Sequence, residues 1–227
     1  MIPPLIVSTA LEMGIQLIAI TDHNASANIG AVMEAAASTN LVVLPGLELQ
    51  TREEVHVLCI FDTLEQIQSF QEIVNSTLPN LENRPDFFGP QYIVDSTGEF
   101  IREETRLLLT SSSLSLEEAC ARVLAMGGLF IPAHVNRKAN GLLANLGFIP
   151  PLLDVSAIEI SRHLTPHQAR QEYPQLEKFP LIQSGDVHRL NEFLAPNLLT
   201  VESPSIREIQ LALHQKHGRT CIIRSDL

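Results

Sequence analysis

The stretch IQLIAITDHN, residues 15–24, sets an apolar run directly against Thr21, Asp22, His23 and Asn24. Apart from Gln16 the run has no polar face, the pattern of a parallel strand covered by helices on both sides. Upstream, PPLIVSTALEM reads as a helix. Prolines are tolerated in its first turn, Leu5 recurs with Thr9 and Ala10 or with Ser8 and Leu11 at helical spacing, and Gly14 supplies the stop. A helix feeding a buried strand that ends in metal-competent side chains is the unit from which the rest of the chain is read.

That unit recurs. A helix is expected near residues 29–38, a strand at LVVLPG (41–46), and another at VHVLCIF (55–61). Thr63 and Gln66 have the spacing of a capping box and open a helix whose apolar face is Leu64, Ile67, Phe70, Ile73 and Val74. Residues 78–114 break the rhythm with Pro79, Pro85 and Pro90. They carry Asp95-Ser-Thr-Gly98 between two strand-like runs, so an insertion containing a β-hairpin is expected there. Ser115 and Glu118 repeat the capping box before EEACARVLAM and the strand LFIPAH. Further strands are expected at 156–161, 180–185 and 197–201. A last helix follows with Pro204 in its first turn and Gly218 at its end, and TCII forms a closing strand. Repeated strand–helix units of this number point to one α/β domain over 1–227, either a barrel or an open doubly wound sheet.

Composition narrows the function classes. With 45% hydrophobic and 18% charged residues, the chain reads as an ordinary globular protein. No apolar run reaches the length of a membrane span, and the start lacks a signal peptide's basic flank, so a cytoplasmic protein is expected. Cys59, Cys120 and Cys221 lie far apart in apolar surroundings and read as small buried hydrophobes. The formal net charge of −11 disfavours a long nucleic-acid footprint, which draws its affinity from clustered Lys and Arg, but suits multivalent cations.

The chemistry-bearing residues share one address. Asp22 and His23 follow the first strand, Glu48 follows LVVLPG, His134 ends LFIPAH, and Asp186 and His188 end PLIQSG. In a barrel, the C-terminal strand ends surround one mouth, where active sites are built. His56 is different. Flanked by valines near the beginning or middle of its strand, it reads by itself as a satisfied core histidine, but a tight reversal after Glu48 would make it a partner of that carboxylate. Imidazoles and carboxylates together are a ligand set for zinc, manganese or iron, and several of each imply more than one ion. Paired divalent ions suit phosphate-ester hydrolysis. Arg137, three residues after His134, is a candidate phosphate clamp, although a loop arginine is more often simply solvated. His163, His167, His214 and His217 receive no role.

The strings ITDHN (20–24 with Ile20), GLELQT (46–51), EVHVLCIF (54–61), IPAHVNR (131–137) and SGDVHR (184–189) resemble, in order, motifs of the polymerase-and-histidinol-phosphatase (PHP) family. The resemblance implies a distorted TIM-like (β/α)7 barrel holding two or three divalent ions and acting on a phosphorylated substrate. It makes Glu48 the carboxylate bridging two ions, His56 and His134 the histidines completing the second site, and Asp186 a ligand of the first. His23 and His188 become ligands of a third ion, and Asp22 a partner of the ligands or a proton donor. The expected reaction is metal-dependent hydrolysis of a small phosphomonoester, nucleotide or short oligonucleotide. The alternative is a catalytically impaired module that keeps a partial metal site for stability or partner binding.

The family's opening motif, a strand with two histidines one residue apart, has no counterpart. The expectation is therefore an N-terminally shortened chain, with an in-frame start upstream of Met1, rather than a naturally disabled relative. The same gap is expected to leave strand edges unpaired.

Overall fold

The structure is a computed structural model, and it describes residues 1–224. In chain order the elements are α1 (Pro3–Glu12), β1 (Leu17–Ile20), α2 (Ile29–Ala36), β2 (Val42–Gln50), β3 (His56–Ile60) and α3 (Leu64–Thr77). A short α4 (Pro85–Phe88) and the strands β4 (Tyr92–Val94) and β5 (Phe100–Glu103) follow, then α5 (Leu116–Ala125), β6 (Leu129–Pro132) and α6 (Leu142–Leu146). The chain continues through β7 (Ile158–Ile160), α7 (Pro166–Glu172), β8 (Leu181–Gln183), β9 (Asn197–Thr200), α8 (Ile206–Leu213) and β10 (Thr220–Ile223).

β1, β2, β3 and β6 form one sheet in that order, and β7 pairs with β8, β9 with β10, and β4 with β5. β1 runs parallel to β2, but β3 is antiparallel to both β2 and β6. The expected (β/α)7 barrel is corrected here: the α/β class holds, but the described strands do not close. The reason for the reversed strand is local. Gln50 pairs with His56, so only residues 51–55 connect β2 to β3, whereas a parallel partner needs a crossover of about a dozen residues or more. Between sheets, the Ser156 amide donates to the Phe130 carbonyl and the Val135 amide to the Glu159 carbonyl. The Asn197 side-chain amide bridges Gln183 of β8, donating to its carbonyl and accepting its N–H.

Alternation along the central strands sorts their faces. Leu47, Leu49, Val57, Cys59 and Phe130 pack towards Ile67, Phe70 and Val74 of α3 and Leu116, Ala119 and Val123 of α5. Leu44, Ile60, Leu129 and Ile131 pack on the other face with Ile206, Ile209 and Leu213 of α8. Glu48 shares the parity of Leu44, and His56 that of Ile60, so strand period alone carries both polar side chains to the α8 face, at the end away from its apolar cluster.

Both expected capping boxes form, at Thr63–Gln66 and Ser115–Glu118. The β4–β5 hairpin forms where the turn signal placed it, with Gly98 at φ +91°. Cys59, Cys120 and Cys221 are free. Other details depart from expectation. Leu5 is exposed, and α1 instead buries Pro3, Val7 and Ala10, of which Val7 and Ala10 pack with Val32 and Ala36 of α2. β1 is half-buried throughout rather than covered on both sides. Pro204 lies just before α8, whose N-cap is Ser205, rather than in its first turn. His214 caps that helix and His217 lies beyond it. No helix among the described residues is long and apolar enough to cross a membrane.

Gly46 lies where β2 is squeezed between its neighbours. A Cβ there would sit 2.9 Å from the Cys59 carbonyl oxygen and 3.1 Å from Thr21 Cγ2. Gly46→Ala is expected to cost about 1–3 kcal/mol of stability through overpacking and to displace Glu48 two residues further on. A lowered urea midpoint together with weaker metal binding in a direct titration is the expected result.

Candidate metal centre

Glu48 is 5% exposed and receives three imidazoles. His23 Nδ1 lies 2.9 Å from Oε2, while His56 Nδ1 and His134 Nε2 each lie 3.3 Å from Oε1. Each imidazole arrives by a different route. His23 follows β1 and forms an isolated parallel bridge with Glu48, held by the Glu48 amide donating to the Asp22 carbonyl and the Asn24 amide donating to the Glu48 carbonyl. His56 opens the antiparallel strand, diagonal to Glu48 across the ladder, within reach of a long side chain. His134 follows β6 with φ +30°, an uncommon backbone state for a residue with a Cβ, and strain of this kind clusters at functional sites.

Asp186 completes the group from the end of β8, also with positive φ, +47°. Two sets of side chains have ligand atoms within 4.8 Å of one another: His23, Glu48 and His56, and Glu48, His134 and Asp186. Glu48 belongs to both. The rings of His23 and His188 are 5.8 Å apart, and His188 Nδ1 lies 3.7 Å from Asp186 Oδ1, so His188 stands at the outer side. Arg137 forms an ion pair with Asp186. Asp22 is exposed beside His23 and makes no direct contact with Glu48 through its side chain. Of the sequence candidates, Glu48, His23, His56 and His134 meet directly, Asp186, His188 and Arg137 stand alongside, and Asp22 is at the rim.

Electrostatics reinforce the geometry. Burial works to raise the Glu48 pKa, but hydrogen bonds from His134, His23 and His56 outweigh it and hold the carboxyl well below the ordinary range. Burial works to lower the His23 pKa, and the Glu48 contact overrides that and raises it. The donor set fits divalent transition ions: imidazole nitrogens and carboxylate oxygens converge, and buried His134 Nδ1 has no hydrogen-bond partner.

Sequence reasoning missed the supports. Asn24, fully buried, donates to the Leu108 and Thr110 carbonyls and accepts from the Gln50 amide, which locks the His23 loop to the 78–114 segment. Glu159, 2% exposed, accepts from the His134 amide through Oε1 and from the Ser184 hydroxyl through Oε2. A charged residue between Ile158 and Ile160 in a buried strand was the available signal. Burial, with the Glu48 charge adding a smaller push, raises the Glu159 carboxyl to about 7 from an ordinary 4.5. A carboxyl raised on folding favours the folded state most below pH 4.5, and that contribution falls away as pH rises towards 7. In chelator-treated protein, Glu159→Gln, which can keep both hydrogen bonds, should therefore stabilise the fold at pH 8 by up to about 3 kcal/mol and have little effect near pH 4.5. Urea unfolding at the two pH values measures the difference.

No family model matches the chain. It is 25% identical over 249 residues to the uncharacterised Bacillus subtilis protein YqxK, covering 98% of this chain and 57% of that protein. Among solved structures, the lesion-specific endonuclease PfuEndoQ of Pyrococcus furiosus superposes with a TM-score of 0.72 at 19% identity, over 97% of this chain and 53% of that one. A proposed metal-dependent phosphoesterase from Bifidobacterium adolescentis superposes with a TM-score of 0.52 at 19% identity, over 83% and 82% of the two chains. The chain thus spans little more than half the length of the Bacillus protein and of the endonuclease, and what it shares with the two solved structures is the fold.

Proposed function

We propose that the chain carries the divalent-metal centre of a PHP-type phosphoester hydrolase. The observation that carries this reading is the convergence of three imidazoles on buried Glu48, with Asp186 alongside. The endonuclease and phosphoesterase likenesses support it at the level of fold. Glu48 is assigned as the carboxylate shared by two ions, His56 and His134 as completing one, Asp186 as a ligand of the other, and His23 and His188 as serving an outer ion. Zinc, manganese or iron bound there would supply a nucleophilic water of lowered pKa and neutralise charge on phosphate oxygens.

The protein's own residues do the rest. Strand period and the β2–β3 reversal hold Glu48 and His56 in place, so the ligands need little reorganisation. Arg137 offers a planar guanidinium that matches phosphate oxygens and lies beside Asp186, where an ester's phosphate would be held. Asp22 is exposed at the mouth, within one residue of His23, and is assigned as the proton donor to the departing oxygen. Burial of Glu48, His56 and His134 shields the inner side of the site from water.

Glu48→Gln is expected to lower both metal content and kcat/KM by more than about 100-fold, since it disrupts two sites at once. His188→Asn should cost about 10- to 100-fold, since it serves only one. The checks are metal analysis and turnover of aryl phosphates and mononucleotides by manganese-, zinc- or iron-loaded protein. Equal, small losses for both variants would overturn the ligand map, and absence of turnover with all three metals would overturn the hydrolase reading.

A further inference from the structure

The loop that carries His23 is fastened twice. Its backbone follows β2, because the Glu48 amide donates to the Asp22 carbonyl and the Asn24 amide to the Glu48 carbonyl. The Asn24 side chain supplies the second fastening. Its Nδ2 donates to the Leu108 and Thr110 carbonyls, both at 2.8 Å, and its Oδ1 accepts the Gln50 amide at 3.0 Å. The Asn24 carbonyl also accepts from Gln71 Nε2 of α3 at 3.0 Å. One fully buried residue thus ties the ligand loop to β2, to α3 and to the 78–114 insertion.

An asparagine in a tight loop usually has a local task. It tolerates a positive φ, here +52°, and its amide commonly bonds its own backbone two residues on. Asn24 meets the first description but not the second, since its three side-chain bonds reach across 84, 86 and 26 residues of chain. The choice of side chain is specific as well. A carboxamide offers two N–H donors to the paired carbonyls and an acceptor to the Gln50 amide, whereas an ionised aspartate of the same size would set oxygen against both carbonyls. The other two histidines on Glu48 are held differently: the His56 amide donates to the Asn140 carbonyl, and the His134 amide to Glu159 Oε1. The hold of the insertion through Asn24 therefore falls on His23.

We infer that Asn24 is a positioning residue for His23 and that, through it, the 78–114 insertion forms part of the metal centre. Docking of residues 108–110 and binding of an ion at His23 then stabilise each other. This rests on the metal-centre reading of Glu48 and its imidazoles. Removing a group that orients a metal ligand typically costs about 10- to 100-fold in metal affinity. Because linkage is reciprocal, whatever loosens the insertion weakens the ion, and the ion in turn secures the insertion.

Two measurements on the full chain test this. The first is calorimetric titration of chelator-treated protein with manganese. Asn24→Gly accepts the positive φ and removes only the side-chain amide, and it should weaken manganese binding by about tenfold or more. In a His23→Asn background the same substitution should change the affinity by less than about twofold, because the ligand through which Asn24 acts is gone. Unchanged affinity in Asn24→Gly, or equal losses in both backgrounds, overturns the positioning role. The second measurement is hydrogen exchange, which needs no change at Asn24. Manganese should slow amide exchange across residues 107–112 by about tenfold relative to α5 in wild type, and should not do so in His23→Asn protein. Exchange that does not respond to bound manganese overturns the coupling, even if Asn24→Gly fails to fold. If wild type binds no manganese, zinc or iron, the metal centre fails and the coupling with it. If an ion binds without any link to Asn24 or to residues 107–112, the metal centre stands and only this role falls.

Discussion

One buried carboxylate organises this molecule. Glu48 lies at the end of the longest strand, almost without solvent, and would be costly to keep ionised there on its own. The structure answers with imidazoles delivered by three separate segments: the loop after β1, the start of β3 and the end of β6. Satisfying Glu48 therefore draws together residues more than one hundred positions apart. The same contacts that hold the carboxyl ionised make it a ready anchor for cations.

The antiparallel turn of β3 follows from that demand and from chain length. Had β3 been parallel to β2, His56 would have begun its strand at the far end of the sheet from Glu48. The short connection at 51–55 reverses the chain and brings the first residue of β3 beside the last residues of β2. Positive backbone angles at His134 and Asp186 belong to the same arrangement, because each residue ends a strand and turns its side chain back towards Glu48. Glu159 braces both turns, through the His134 amide on one side and the Ser184 hydroxyl, which the Asp186 amide also contacts at 3.4 Å, on the other.

Much of this was legible locally. Apolar runs that stop at Asp22-His23, at His134 and at Asp186 announce both strand and candidate ligand, since a polar side chain at the edge of a buried run must find a partner. The capping boxes at Thr63 and Ser115 mark their helices because their hydrogen bonds span only three residues. The face of α1 was not legible. Leu5, Val7 and Ala10 are all apolar, and only the position of α2 selects Val7 and Ala10 for burial.

The sequence by itself determined the α/β class, the order of most elements and the identity of the candidate ligands, because strand period, capping and side-chain chemistry are properties of neighbouring residues. Tertiary structure alone decided the direction of β3 and the choice for His56 between core residue and Glu48 partner. It also revealed Glu159 as a buried brace. Those features depend on distances between segments far apart in the chain, which packing sets and local pattern does not encode.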